Sequence, residues 1–287
     1  MKAIINGWEI EHTVAGEGPP VLCIHGGFGG PMSRFAERAR YFAMAVGDGF
    51  RVIEYDRRNC GQSGIREASY TQDDLAEEAA GVLDQLEIGR AIIVGDSMGG
   101  TIAQSFALRH PDRVAALALV ETSAHMTDAP FYAPLTGLMT MAESEGADAV
   151  FERRRRSIYE PQLPPNLAAL PDERQEAMRA MYAAYRENVR DAEEAVVKLV
   201  AVGELCNWRA HVGFDTRSAL GELGRHRTLV LHGDSDATVP TPHGQELAAA
   251  IPGARLALIA GGQHGIFAWP EARVALQAWL ADVAAGI

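Results

Sequence analysis

The run Gly95-Asp96-Ser97-Met98-Gly99 constrains the fold of this chain more than any other stretch. It follows a short apolar segment, Ala91-Ile92-Ile93-Val94, and leads into a helix-like one, Thr101-Ile102-Ala103-Gln104. The order reads as strand, sharp turn and helix, with a serine at the apex. Gly95 and Gly99 remove the side chains that would collide where the backbone doubles back. Such a turn holds its central residue in a strained conformation and presents the hydroxyl above a sheet edge.

The flanking sequence supplies a sheet for that turn. Trp8 to Val14 reads as part of an antiparallel hairpin, followed by buried strands at Val21-Leu22-Cys23-Ile24 and Arg51-Val52-Ile53-Glu54-Tyr55. Thr71 caps a helix whose apolar face carries Leu75, Val82, Leu83 and Leu86. Val114 to Val120 is a further apolar strand. Continuous apolar strands separated by helices predict a parallel sheet covered on both faces.

The rhythm stops after about Ser123. From there to about Gly224 the pattern is helical, with breaks at Pro130, Pro134, Pro161, Pro164, Pro165 and Pro171. It then resumes with a strand at Thr228–Leu231, a helix capped and started by Thr241-Pro242, and a strand at Leu256–Ile259. A last helix runs from about Glu271 to Val283. The expected organisation is a core of residues 1–124 and 225–287 with a helical insertion at 125–224.

A serine hydroxyl is a poor nucleophile unless a base takes its proton and a third group orients that base. The strand at 228–231 runs into His232-Gly233-Asp234-Ser235-Asp236, and the one at 256–259 into Ala260-Gly261-Gly262-Gln263-His264. Sites in open parallel sheets form beyond such carboxyl ends. The order along the chain is serine, acid, histidine, with Asp234, Asp236 and Glu121 as available acids. Asp96 reads as a polar residue at a crowded turn.

Together with His25-Gly26-Gly27-Phe28-Gly29 and Asp56-Arg57-Arg58-Asn59-Cys60-Gly61-Gln62-Ser63, these motifs make the chain resemble serine hydrolases of the α/β-hydrolase fold, over nearly all of it outside the insertion. The resemblance implies a mostly parallel eight-stranded sheet flanked by helices, with a helical cap after the sixth strand. It implies Ser97 as nucleophile, His264 as general base and acid, and Asp236, in Gly-x-x-Asp-x-x-x-Pro, as the acid that orients it. The oxyanion hole would use the amides of Gly27 and Met98, and Phe28 and Trp208 would contact substrate. The expected reaction is hydrolysis of a carboxylic ester or lactone through an acyl-enzyme. The run Gly-x-Ser-Met-Gly-Gly also suits a C–C bond hydrolase of ring-cleavage products. His-Gly-Gly and the Asp56–Ser63 run resemble a proline-iminopeptidase-like amidase, although that group's usual tryptophan after the nucleophile is Met98 here. A non-catalytic receptor would be expected to lose a member of the triad.

Bulk properties bound the partners. The 287 residues are 47% hydrophobic and 22% charged, with a formal charge of −12, which repels nucleic acids and anionic membranes. No apolar stretch is long enough to span a bilayer and the start lacks a signal-peptide pattern, so a cytoplasmic location is expected. Cys23, Cys60 and Cys206 are too scattered for a disulfide framework, and no His-x-x-x-His or Cys-x-x-Cys spacing predicts a metal. The expected partner is a small apolar substrate, with no cofactor, on a monomer or homodimer. Arg153-Arg154-Arg155-Arg156 reads as a solvated helix face. The insertion is rich in soft and aromatic residues, among them Met126, Met139, Met178, Phe131, Tyr132 and Trp208.

Overall fold

Apolar runs become the strands of one sheet. A computed structural model describes residues 1–36, 41–125, 132–164, 167–170 and 172–286. Strands β1 (Lys2–Ile5) and β2 (Trp8–Ala15) form an antiparallel hairpin turning at Asn6-Gly7, both at positive φ. There follow β3 (Pro20–Ile24), α1 (Gly30–Phe35), α2 (Tyr41–Val46), β4 (Arg51–Tyr55), α3 (Gln72–Gln85), β5 (Ala91–Asp96), α4 (Met98–Arg109) and β6 (Val114–Val120). The inserted helices are α5 (Tyr132–Glu145), α6 (Ala147–Tyr159), α7 (Asp172–Asp191) and α8 (Glu194–His211). Then come β7 (Thr228–Gly233), α9 (Thr241–Ala250), β8 (Arg255–Ile259) and α10 (Pro270–Ala284).

The eight strands lie in the order β1-β2-β4-β3-β5-β6-β7-β8, parallel from β4 onward. From β3 the chain first grows the sheet towards β4 and then returns to add β5 on the other side. That reversal leaves a crevice at the carboxyl ends of β3 and β5, the usual place for a site in an open α/β sheet. The register sets Ile24 beside Gly95, so the loop after β3 starts level with the turn after β5.

Alternation along the strands divides the core into two layers. Leu22, Ile24, Ile93 and Leu117 face α3 and α4, meeting Leu75, Ile102 and Phe106. Val21, Cys23, Val94 and Leu231 face the other way, with Phe42, Leu276 and Leu280 of α2 and α10. Thr71 caps α3 as expected, in a reciprocal box with Asp74. One local expectation needs correction. The residue capping α9 is Pro240; Thr241 is the first helical residue, and its hydroxyl donates to the Gly233 carbonyl at 2.8 Å. Edge strand β8 is exposed along much of its length, including Leu256 and Leu258, because it lies at the end of the sheet.

The inserted helices share a small apolar cluster that includes Phe151, Ile158, Tyr185 and Val197. Cys206 and Ala210 at the end of α8, with Leu220 and Leu223, instead join the layer on the α3/α4 face. Met126, Phe131, Pro130, Pro165, Pro171 and the side chain of Tyr132 lie outside the described residues. Arg154 pairs with Glu204, and Arg155 with Glu194 and Glu152. Among the described residues no helix is long and apolar enough to cross a membrane.

Candidate active site

Ser97 caps α4 with φ 52° and ψ −118°, a left-handed conformation that costs a non-glycine residue about 1–3 kcal/mol. The surroundings hold it there. Its amide donates to Val120 O at 2.9 Å, and its carbonyl accepts from the Thr122 hydroxyl at 2.7 Å. A Cβ on Gly99 would sit 1.9 Å from Ile24 O, and one on Gly95 would sit 2.5 Å from Gly99 O. Both positions therefore need glycine for close approach of backbone, as the sequence implied.

Asp236 and His264, from the loops after β7 and β8, converge on this turn. His264 Nδ1 donates to Asp236 Oδ2 at 2.8 Å, and the Ser97 hydroxyl can donate to His264 Nε2 at 3.2 Å. Asp236 is buried, and its other oxygen accepts the amides of Thr238 and Val239 at 2.8 and 2.9 Å. Those contacts leave one oxygen to hold the imidazole in the tautomer that turns Nε2 towards the serine. Asp234, the competing acid, accepts from the Ser235 hydroxyl and the Gly261 amide instead, as a turn-former.

Glu121, the third available acid, also reaches this group. It is buried at φ 38°, and it accepts the amides of Gly265 and Ile266 at 2.8–2.9 Å. Oε1 lies 3.9 Å from His264 Nε2. Glu121 thus anchors the loop that carries the histidine. Burial pushes the Glu121 carboxyl well above its ordinary value, the nearby imidazole opposes that, and the Asp96 carboxyl adds to it. For His264, burial disfavours the charge, but Glu121 and then Asp236 outweigh it and raise the imidazole to about 9. Glu121, Asp236 and His264 offer ligand atoms within 4.8 Å of one another. These atoms are engaged with amides, with each other and with the serine, an arrangement suited to moving a proton.

The loop after β3 carries the predicted oxyanion donor. Gly26 runs against the serine so closely that a Cβ there would be 2.9 Å from Ser97 Cβ, and Gly27 has φ 74°. His25 Nδ1 is 2.7 Å from Gly26 O, while Nε2 accepts the Arg57 amide at 3.3 Å, so the proton sits on Nδ1. Arg57 is fully buried and donates to the carbonyl of Gly27, and its Nη1 lies 3.4 Å from Met98 Sδ. It therefore touches both residues assigned to the oxyanion hole. Among the described residues no carboxylate pairs with Arg57, whereas its neighbour Arg58 is matched to buried Glu78 at 2.7 Å. The adjacent arginines were visible in the sequence, but which one lacks an acid was not.

Phe28 and Trp208, the expected substrate contacts, meet edge to face with centroids 4.7 Å apart. Trp208 is buried, so α8 packs directly on the loop after β3. His211, one turn on, is buried against Phe28, and burial together with Arg57 lowers it to about 3. It is a neutral core residue. A cavity of about 250 Å³ lies behind His25, bounded by Cys23, Tyr41 and Asp56 among others. Its walls do not include Ser97 or His264, so it is not taken for the reaction site.

Comparison with known proteins places this architecture. The 2-hydroxymuconate semialdehyde hydrolase of Pseudomonas sp. (strain CF600) is 31% identical over 249 residues, 84% of this chain and 79% of that protein. A protein of Mycobacterium phage D29 matches at 34% over 122 residues, so the chain spans only 42% of that relative. A thermophilic esterase from Thermogutta terrifontis superposes with a TM-score of 0.69 at 25% identity, covering 99% of this chain and 98% of the other. The family model of the alpha/beta hydrolase fold matches residues 19–271. This chain belongs to the α/β-hydrolase family and is a hydrolase.

Proposed function

We propose that the protein is a serine hydrolase that cleaves a small carboxylic ester or lactone, with Ser97, His264 and Asp236 as its catalytic triad. The observation that carries this reading is the unbroken chain from Ser97 Oγ through His264 to Asp236, at 3.2 and 2.8 Å. His264 Nε2 takes the Ser97 proton as Oγ attacks the carbonyl carbon. The resulting oxyanion accepts hydrogen bonds from the Gly27 and Met98 amides, the latter at the positive end of α4. The imidazolium then gives its proton to the departing alkoxide as the C–O bond breaks. A water deprotonated by the same nitrogen attacks the acyl-enzyme and releases the acid. Asp236 holds the ring in place throughout.

Residues 125–224 are assigned as a cap over this site, with Phe28 and Trp208 forming an apolar wall for the substrate. The esterase among the structural relatives supports the ester reading. The Pseudomonas relative supports a second one, hydrolysis of a C–C bond in a ring-cleavage product by the same three residues. A fluorophosphonate should label Ser97 in the folded protein, and Ser97→Ala should lose about 10⁴-fold or more in turnover of a short p-nitrophenyl ester with its melting temperature unchanged. Absence of labelling would overturn the assignment. Labelling combined with faster turnover of a ring-cleavage product than of any ester would favour the second reading.

A further inference from the structure

His125, His243 and Glu246 come from parts of the chain that no motif connects. His125 ends the stretch that leaves β6, and its backbone forms a β-bridge with Asp215, just beyond α8. His243 and Glu246 are spaced i, i+3 on α9 and so share one face of that helix. The three side chains offer one ligand atom each, all within 4.8 Å of one another. His125 Nε2 is 3.5 Å from Glu246 Oε2, and the two imidazoles meet edge to face with centroids 5.1 Å apart.

Donors bound at about 2.0–2.1 Å around a tetrahedral zinc are separated by about 3.3 Å. The His125–Glu246 pair is already near that spacing. Glu246, with 38% of its side chain exposed, can close the remainder by rotation, while both histidines are largely buried. Two imidazoles and one carboxylate form a donor set for zinc and neighbouring transition ions, and a poor one for calcium or magnesium, which favour oxygen. Sequence-local spacing predicted no metal because His125 and α9 are joined only by the fold.

We propose that His125, His243 and Glu246 bind a divalent transition metal, zinc foremost, that ties α9 to the root of the inserted helices. His125 lies where the chain enters the insertion and is paired to Asp215 where it returns. An ion there would link both crossings to the core. The site is independent of the reaction assigned to Ser97.

The full chain, stripped by dialysis against a chelator, is titrated with zinc chloride by calorimetry and then with cobalt(II) under visible absorption. One equivalent of zinc is expected, together with tetrahedral cobalt bands and a rise of a few degrees in Tm on adding zinc. His243→Ala and Glu246→Gln should each weaken zinc binding at least about tenfold and abolish the Tm rise. Glu246→Gln preserves shape, so it keeps the test decisive if His243→Ala folds poorly. His110→Ala, which disrupts a surface pair with Glu77 at 3.0 Å, should leave binding unchanged. No zinc uptake at micromolar concentration would overturn the site, and equal uptake by Glu246→Gln and the wild type would mean an adventitious ion only and overturn it as well.

Discussion

Every side chain of β5 and β7 is buried, whereas α6 buries only Val150, Phe151 and Ile158 of its 13 residues. The first region is the floor beneath the candidate triad, and the second belongs to the insertion between β6 and β7. At the sheet edge, backbone approaches backbone, and Gly95 and Gly99 tolerate no side chain. In the insertion, Arg154 and Arg155 lie among acids from α6 and α8 near solvent. Position is therefore set tightly where chemistry is assigned and loosely over much of the assigned cap. The contrast teaches that a single substitution at the edge should act through geometry, and one on the helices chiefly through binding.

The largest expected effect that could break this contrast is on the acid. Asp236→Asn should cost about 10⁴-fold in kcat, because the imidazole loses the tautomer that accepts the serine proton. Asp234→Asn should leave kcat within a few-fold. Steady-state kinetics of the pair would exchange the roles of the two acids if the ranking were reversed.

Arg57 tests whether geometry behind the oxyanion hole matters as much as the donors. Arg57→Lys keeps the charge but not the fork that reaches the Gly27 carbonyl and Met98. We expect kcat to fall by about 10- to 100-fold with KM nearly unchanged, since the loss would be felt only when the oxyanion forms. A change confined to KM would contradict that role.

Glu121→Gln is expected to change the pH profile more than the maximal rate. His264 raised to about 9 is mostly imidazolium at neutral pH, so kcat/KM should rise as pH climbs through about 9 and the base form appears. Replacing the Glu121 carboxyl removes the neighbour that raises His264 most, and the rising limb should move to lower pH. Glutamine can still accept an amide of the 265–266 loop. A uniform loss of rate with no shift of the limb would reduce Glu121 to a structural anchor.

The smallest effect belongs to the other region. Arg155→Ala, which removes an exposed pair with Glu194, should leave Tm and kcat unchanged, because such pairs contribute little in water. A clear rise in KM would instead bring the arginine run into substrate binding and weaken the contrast.

Much of the sheet edge was legible because its signals are short-range. The Thr71 cap, the glycines of the turn and the strands before Ser97, Asp236 and His264 are each written within a few residues, where dihedral preference and periodicity act. Thr241 was misread for a related reason. A threonine before a proline is a common helix start, but its hydroxyl was drawn to the Gly233 carbonyl of a different element.

The sequence by itself determined the fold family, the candidate triad and the need for glycine around Ser97, since those depend on local backbone geometry and on order along the chain. Tertiary structure alone decided that the sheet reverses at β3, that Arg58 and not Arg57 is paired with an acid among the described residues, and that Glu121 clamps the loop after His264. It also brought Trp208 onto Phe28, and His125 to His243 and Glu246. Each of these depends on which side chains face one another across packed elements, and pairing at that range is set by the whole core.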